Sequence, residues 1–237
     1  MKMKFIIFLI IGNGVAFLFT SCNKESCNKD DEIPGQPEEL NFSMNCGNDS
    51  SFFYYTFDYD RIYLDISNHS ITIKFSDNVS NEYLDHLIDS SSEIDSISFI
   101  NEDKKIAYGY LKEDILCEGI EALLVSLYSE DQILCANPNF YLKETIARGE
   151  PIDDKYDLMG LTDEFVVKLK DGIPNSELES LISLTNTKLI KQTKLYSLIS
   201  ADKYSDYNSL EMSRYFYETG DFVYSHPNFL VNFVFVK

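Results

Sequence analysis

Two stretches of the chain repeat one alternation of apolar and polar positions. Ile73-Lys-Phe-Ser-Asp-Asn-Val-Ser-Asn-Glu-Tyr-Leu-Asp-His-Leu-Ile88 aligns with Val167-Lys-Leu-Lys-Asp-Gly-Ile-Pro-Asn-Ser-Glu-Leu-Glu-Ser-Leu-Ile182. Each reads as a half-buried strand, a polar turn and a helix with a Leu-x-x-Leu/Ile face. Further on, Ile133-Leu-Cys-Ala-Asn-Pro-Asn-Phe140 returns as Phe222-Val-Tyr-Ser-His-Pro-Asn-Phe229. The starts lie 94 residues apart (positions 73 and 167) and the ends 89 apart (positions 133 and 222). Most of the protein is therefore two copies of one unit, the second about five residues shorter.

Within each copy the periodicity predicts strand, helix, strand, strand, helix, strand. In the second, residues 164–170 alternate as a strand and Asp171-Gly172 turns the chain. Pro174 and Asn175 open a helix with Leu178, Leu181, Ile182 and Thr185 on one face. Strands follow at 188–192 and 195–200. Asn208 caps a second helix carrying Leu210, Met212, Tyr215 and Phe216, Gly220 ends it, and 222–224 closes the copy. The first copy places strands at 70–75, 94–100, 106–111 and 133–135, and helices at 82–89 and 119–128. This order is the ferredoxin-like plan, so the fold class is α+β. It predicts two tandem β-α-β-β-α-β domains, each an antiparallel sheet with helices on one face. An aromatic hairpin, residues 52–57 and 61–66 around Asp58-Tyr-Asp60, precedes the first.

The N-terminus changes the picture. Lys2 and Lys4, an apolar run over 5–19 and Thr20-Ser21-Cys22 form a secretory signal rather than a spanning helix. Small residues before Cys22 resemble a bacterial lipobox, although Phe19 stands where leucine is usual. The resemblance implies cleavage before Cys22 and lipidation of it. Polar residues with Pro34, Gly35 and Pro37 then read as a tether. Its acidic cluster Asp30-Asp31-Glu32 resembles the surface-export signal of Bacteroidetes lipoproteins. The division is a signal peptide at 1–21, a tether at 22–49, a first domain with its hairpin at 50–144, a linker at 145–160 and a second domain with its tail at 161–237. The expected location is the bacterial outer membrane, lipid-anchored, with the protein facing either the cell surface or the periplasm.

Formal charge is −19, or −21 once Lys2 and Lys4 leave with the leader. That field repels phosphate backbones and anionic headgroups, so nucleic acid is excluded as a partner and the lipid anchor is the sole membrane attachment. Beyond Cys22, the cysteines Cys27, Cys46, Cys117 and Cys135 allow three pairings. Cys117 and Cys135 share a copy and are candidates for a bridge, with buried free thiols as the equal alternative.

The alternating strand, the Leu-x-x-Leu/Ile helix and the ending Val-Tyr-Ser-His-Pro-Asn-Phe229 resemble the subtilisin propeptide and peptidase-inhibitor domain. The signature residues are Pro138, Asn139 and Phe140 in the first copy and Pro227, Asn228 and Phe229 in the second. The aromatic hairpin also resembles the N-terminal regions of secreted Bacteroidetes subtilases. The resemblance covers about residues 50–237 and implies a subtilisin-like serine protease as partner. It implies that the tail, Phe229, Leu230, Val231, Asn232, Phe233, Val234, Phe235, Val236 and Lys237, lies in the protease's substrate cleft, with Lys237 in the primary pocket. Inhibitor or folding chaperone is the role implied; a structural or adhesion-type lipoprotein, or a truncated subtilase precursor, is the alternative.

Catalytic chemistry finds no motif. His69, His86 and His226 are followed by Ser, Leu and Pro, so no subtilase His-Gly exists, nor a Gly-Thr-Ser nucleophile. No Cys-x-x-Cys or His-Glu-x-x-His provides a zinc signature, and no glycine-rich phosphate loop follows a strand. The sequence therefore reads as a non-enzyme, with no cofactor, metal or small-molecule substrate evident.

Overall fold

The computed structural model describes Met44, Cys46 and residues 52–56, 60–112, 115–143 and 157–231. All belong to one compact unit, Leu40–Lys237. The signal peptide, Cys22, most of the tether and of the expected linker, and tail residues 232–237 lie outside the described residues.

Thirteen elements follow the chain among the described residues. They are β1 (Phe53–Tyr55), β2 (Arg61–Phe75), α1 (Asn81–Ser90), β3 (Ile94–Asn101), β4 (Ile106–Leu111), α2 (Cys117–Tyr128) and β5 (Ile133–Leu142). After the undescribed connection come β6 (Met159–Leu169), α3 (Asn175–Leu184), β7 (Lys188–Gln192), β8 (Ser197–Ser200), α4 (Ser209–Glu218) and β9 (Phe222–Val231). Local chemistry sets several ends. The Ser80 hydroxyl accepts from the Tyr83 amide at the start of α1, and Asn208 Oδ1 accepts from the Glu211 amide at the start of α4. Gly172 and Gly220 hold φ values of 87° and 85°, which a side chain would strain.

The molecule is mixed α/β, with one antiparallel nine-stranded sheet in the order β3-β4-β2-β5-β6-β8-β7, β1 on β2 and β9 on β6. The ladders of the two copies match residue for residue. Ile71 faces Pro138, Thr72 faces Asn137 and Ile73 faces Ala136. In the second copy Phe165 faces Pro227, Val166 faces His226 and Val167 faces Ser225. Both ladders keep register for one more pair, Lys74 with Cys135 and Lys168 with Tyr224, and then slip, to Phe75 with Ile133 and to Leu169 with Phe222.

Alternate strand residues turn inward. Ile71, Ile73 and Phe75 pack with Leu87, Ile120 and Leu124 beneath α1 and α2. Phe165 and Val167 pack with Leu178, Met212 and Phe216 beneath α3 and α4. Tyr215, expected on the buried face of α4, is 41% exposed.

Three boundaries differ from the sequence reading. The hairpin's second strand runs unbroken into the first strand of the copy, making the 15-residue β2, with a bulge between Ile66 and Ile71 absorbing the change of course. Met159 and Gly160, expected in the linker, already belong to β6 and pair with Phe140 and Asn139. Strands β5 and β9 continue through the Asn-Pro-Asn-Phe and His-Pro-Asn-Phe segments, beyond the expected closing strands at 133–135 and 222–224.

The cysteine pairing also needs correction. Cys46 bridges Cys117, with Cα atoms 5.5 Å apart, and Cys135 is a buried free thiol. Cys117 opens α2, whereas Cys135 lies beside Tyr128 at that helix's far end, its Sγ 4.0 Å from the phenol oxygen. A helix of that length separates the two by roughly 16 Å at ~1.5 Å per residue, so no bridge between Cys117 and Cys135 forms. The bridge that does form closes a 71-residue separation and ties the N-terminal arm, with Met44 in the core, to α2. Chain entropy credits such a closure with up to about 4 kcal/mol.

Candidate functional site

The site begins with the repeated asparagines. Asn139 donates from Nδ2 to Ser70 Oγ at 2.9 Å and accepts from Thr72 Oγ1. Asn228 donates from Nδ2 to Glu164 Oε2 at 3.1 Å. Ser70 and Glu164 occupy the same position of the repeat, so each signature asparagine fastens its copy's closing strand to its first strand. The two signature phenylalanines, Phe140 and Phe229, meet in one apolar cluster with Leu64, Leu161 and Leu210. Pro138 and Pro227, which have no N–H to offer, lie opposite Ile71 and Phe165. The signature is thus structural in both copies: it closes a ladder and fills the seam between the halves.

That seam is polar as well as apolar, because β5 and β6 pair only at Asn139–Gly160 and Phe140–Met159 and then diverge. Asn137 spans the gap, donating to the Leu161 and Thr162 carbonyls at 3.3 and 3.1 Å. Lys74 Nζ meets Asp163 Oδ2 at 2.7 Å, and Ser200 Oγ donates to the same oxygen at 2.7 Å. Lys104, from the β3–β4 turn, reaches Glu164 at 3.0 Å. Burial depresses the Lys74 ammonium, but the charge and hydrogen bond of Asp163 outweigh it and hold its pKa above the ordinary value. Burial raises the Cys135 thiol far out of the reactive range, so it is a packing residue and not a nucleophile.

The described part of the tail lies in this seam. Phe229 and Leu230 stand opposite Leu161 and Gly160 in the β6–β9 ladder. Phe229 packs 5.6 Å from the Tyr54 ring, and Leu230 packs on Tyr108, Tyr141 and Leu158. Tyr108, whose burial pushes its phenol pKa to about 12, donates to the Leu230 carbonyl at 3.4 Å. Phe229, Leu230 and the backbone of Val231 are therefore in the protein's own sheet. The six remaining tail residues, Asn232, Phe233, Val234, Phe235, Val236 and Lys237, lie outside the described residues.

The aromatic hairpin reaches the second half rather than serving the first alone. Tyr55 stacks on Tyr217 of α4 at 4.4 Å and donates to Glu218 at 2.9 Å. The guanidinium groups of Arg61 and Arg214 lie 4.7 and 4.8 Å from the Phe53 ring centre.

Among the described residues no three His, Cys, Asp or Glu side chains gather as a metal site. His69 lies in β2, His86 on α1 and His226 in β9, on separate elements. A depression between α3 and the start of β9, lined by Glu177, Ser180, Leu181, Leu184, Asp221 and Phe222, brings together no constellation of catalytic type. Among the described residues no helix is long and apolar enough to cross a membrane.

Sequence reasoning missed Ser70, Lys74, Tyr108, Asp163 and Glu164. Two signals were available. Aligning the copies puts Ser70 and Glu164 in register, and a lone glycine inside a strand pattern, as at Gly160, marks a close approach.

No protein-family model and no curated protein matches the chain. Among solved structures, the acetolactate synthase small subunit from Thermotoga maritima aligns over 70% of this chain and 98% of its own length, at 12% identity and a TM-score of 0.25.

Proposed function

We propose that this is a non-catalytic, exported lipoprotein made of two fused ferredoxin-like units, acting as a structural or adhesion-type scaffold that presents its surface to other macromolecules. The observation that carries this reading is the β6–β9 ladder, which pairs Phe229 and Leu230 in the protein's own sheet and half-buries their side chains. A segment that inserts into a protease cleft needs its backbone hydrogen bonds and side chains free. Matching registers in the two copies support the fused-unit reading. The Cys46–Cys117 bridge supports export, since disulfides persist in oxidising compartments. Cys22 would carry the lipid and the remainder of residues 22–49 would form the tether.

A second reading keeps the family resemblance: a propeptide-like inhibitor or chaperone of a subtilisin-like protease. With Phe229, Leu230 and Val231 paired in the β6–β9 ladder, this reading confines the binding segment to residues 232–237. Titrating a subtilisin-type protease with residues 23–237 and with a chain ending at Val231 separates the two. The scaffold reading expects neither to inhibit and both to survive equally. Tight inhibition that vanishes with the last six residues would replace it with the protease reading.

A further inference from the structure

Four strands, β1, β3, β7 and β9, pair on one side only, and β3 and β7 terminate the main run of the sheet, whereas β1 and β9 carry no Asp, Glu, Lys or Arg. Strands β3 and β7 are equivalent in the two copies, but their chemistry is opposite. Residues 90–103, which contain β3, carry four carboxylates (Asp95 in the strand, Glu93, Glu102 and Asp103 beside it). The nearby cations are fewer, Lys104 being held by Glu164, Lys105 lying over the Phe99 ring and Lys112 donating to the Ser91 carbonyl. Residues 180–201, which contain β7, carry Lys188, Lys191 and Lys194 and no carboxylate, in a chain of net charge −19. Lys188 is already paired with Asp202 at 2.5 Å, which leaves Lys191 and Lys194 to set the sign of the edge. Every residue of β7 is exposed, with Leu189 at 41% and Ile190 at 54%, and Ile100 on β3 is exposed at 37%.

An apolar edge with open backbone groups is a pairing template, and edge lysines and bulges deter indiscriminate pairing. A bulge between Leu189 and Lys191 and these lysines do so here. What they do not deter is an acidic edge. Two β7 edges set lysine against lysine, and two β3 edges set carboxylate against carboxylate. Only β3 against β7 brings opposite charges together, which is specificity by excluding the wrong pairs. We propose that β3 of one copy docks on β7 of the next, joining copies of this chain head to tail.

Such a contact is heterologous, so it continues into an open chain or closes as a ring. With β7 only five residues long, the association is weak and strongly screened by salt.

Sedimentation velocity on residues 23–237, which contain the whole compact unit, tests this across a concentration series at low and high salt. The expected result is concentration-dependent association that high salt abolishes. The exposed double variants K191E/K194E and D95K/E102K should each be monomeric, and their equimolar mixture should associate again, because both edge pairs become complementary. That rescue also shows that both variants are folded. The neutral pair K191Q/K194Q should associate less than the wild type and more than K191E/K194E. A wild-type chain that stays monomeric at low salt overturns the proposal. So does association that either charge-reversed variant retains, or a mixture that remains monomeric.

Discussion

Gly160 lies so close against Tyr108 that a methyl group on its Cα would stand 2.5 Å from the ring's Cε1 and 2.7 Å from Thr72 Oγ1. This contact brings the start of β6 over strands β2 and β4. The expected result for Gly160→Ala is a loss of about 1–3 kcal/mol, the usual cost of overpacking. Urea unfolding checks it, and in a Tyr108→Ala background the alanine should cost clearly less, the residual penalty being the Thr72 Oγ1 contact. Additive losses would show that the two residues are not coupled.

The signature asparagines predict an asymmetry. Asn139 is fully buried with Ser70 and Thr72 as partners, whereas Asn228 is half-buried beside Glu164, which also has Lys104. Asn139→Ala should cost about 1–3 kcal/mol because two buried hydroxyls lose their partner. Asn228→Ala should cost less than half as much. Equal urea midpoints for the two variants would overturn the assignment.

Asp163 is buried and depends on Lys74 and Ser200. Removing the cation strands a buried carboxylate, so Lys74→Met should destabilise by about 2–4 kcal/mol. Replacing both, Lys74→Met with Asp163→Leu, should recover part of that loss. A single variant as stable as wild type would mean that the pair contributes little.

For the tail, the ladder predicts that Phe229 and Leu230 contribute to stability. A chain ending at Val231 retains every pair of the β6–β9 ladder and is the reference. One ending at Asn228 loses the Phe229 and Leu230 side chains from the seam and should lose about 2–3 kcal/mol. Equal stability of both truncations would place the two residues outside the core.

His226 provides a pH dependence. Burial lowers its pKa below the ordinary 6.5, with Nδ1 donating to the Pro227 carbonyl. As pH falls below 6.5 the unfolded chain takes up a proton before the folded one. The stability is therefore whole above 6.5 and is lost as pH falls through the folded value. His226→Gln should flatten this part of the curve in urea midpoints collected between about pH 5 and pH 8. An unchanged slope would assign the pH dependence to other groups.

Local elements were legible because they rest on local physics. The periodicity of residues 167–182 located β6 and α3, Lys188–Gln192 matched β7 to the residue, and Asn208 announced α4 through its side-chain cap. The strands were underestimated at 222–231 and 133–142, since Pro and Asn weigh toward turns and only the paired neighbour reveals a strand there.

What the sequence alone determined is the duplication: two runs of matching periodicity sharing one signature, each fixing a strand-helix unit by its own short-range preferences. The tertiary structure decided how those units close on one another. It chose Cys46 rather than Cys135 as the partner of Cys117, gave Asn139 and Asn228 their tasks, and drew Phe229 and Leu230 into the seam. Those outcomes depend on groups some 64 to 71 residues apart along the chain meeting in space. Periodicity carries no information about such distances, whereas packing and buried hydrogen bonds settle them together.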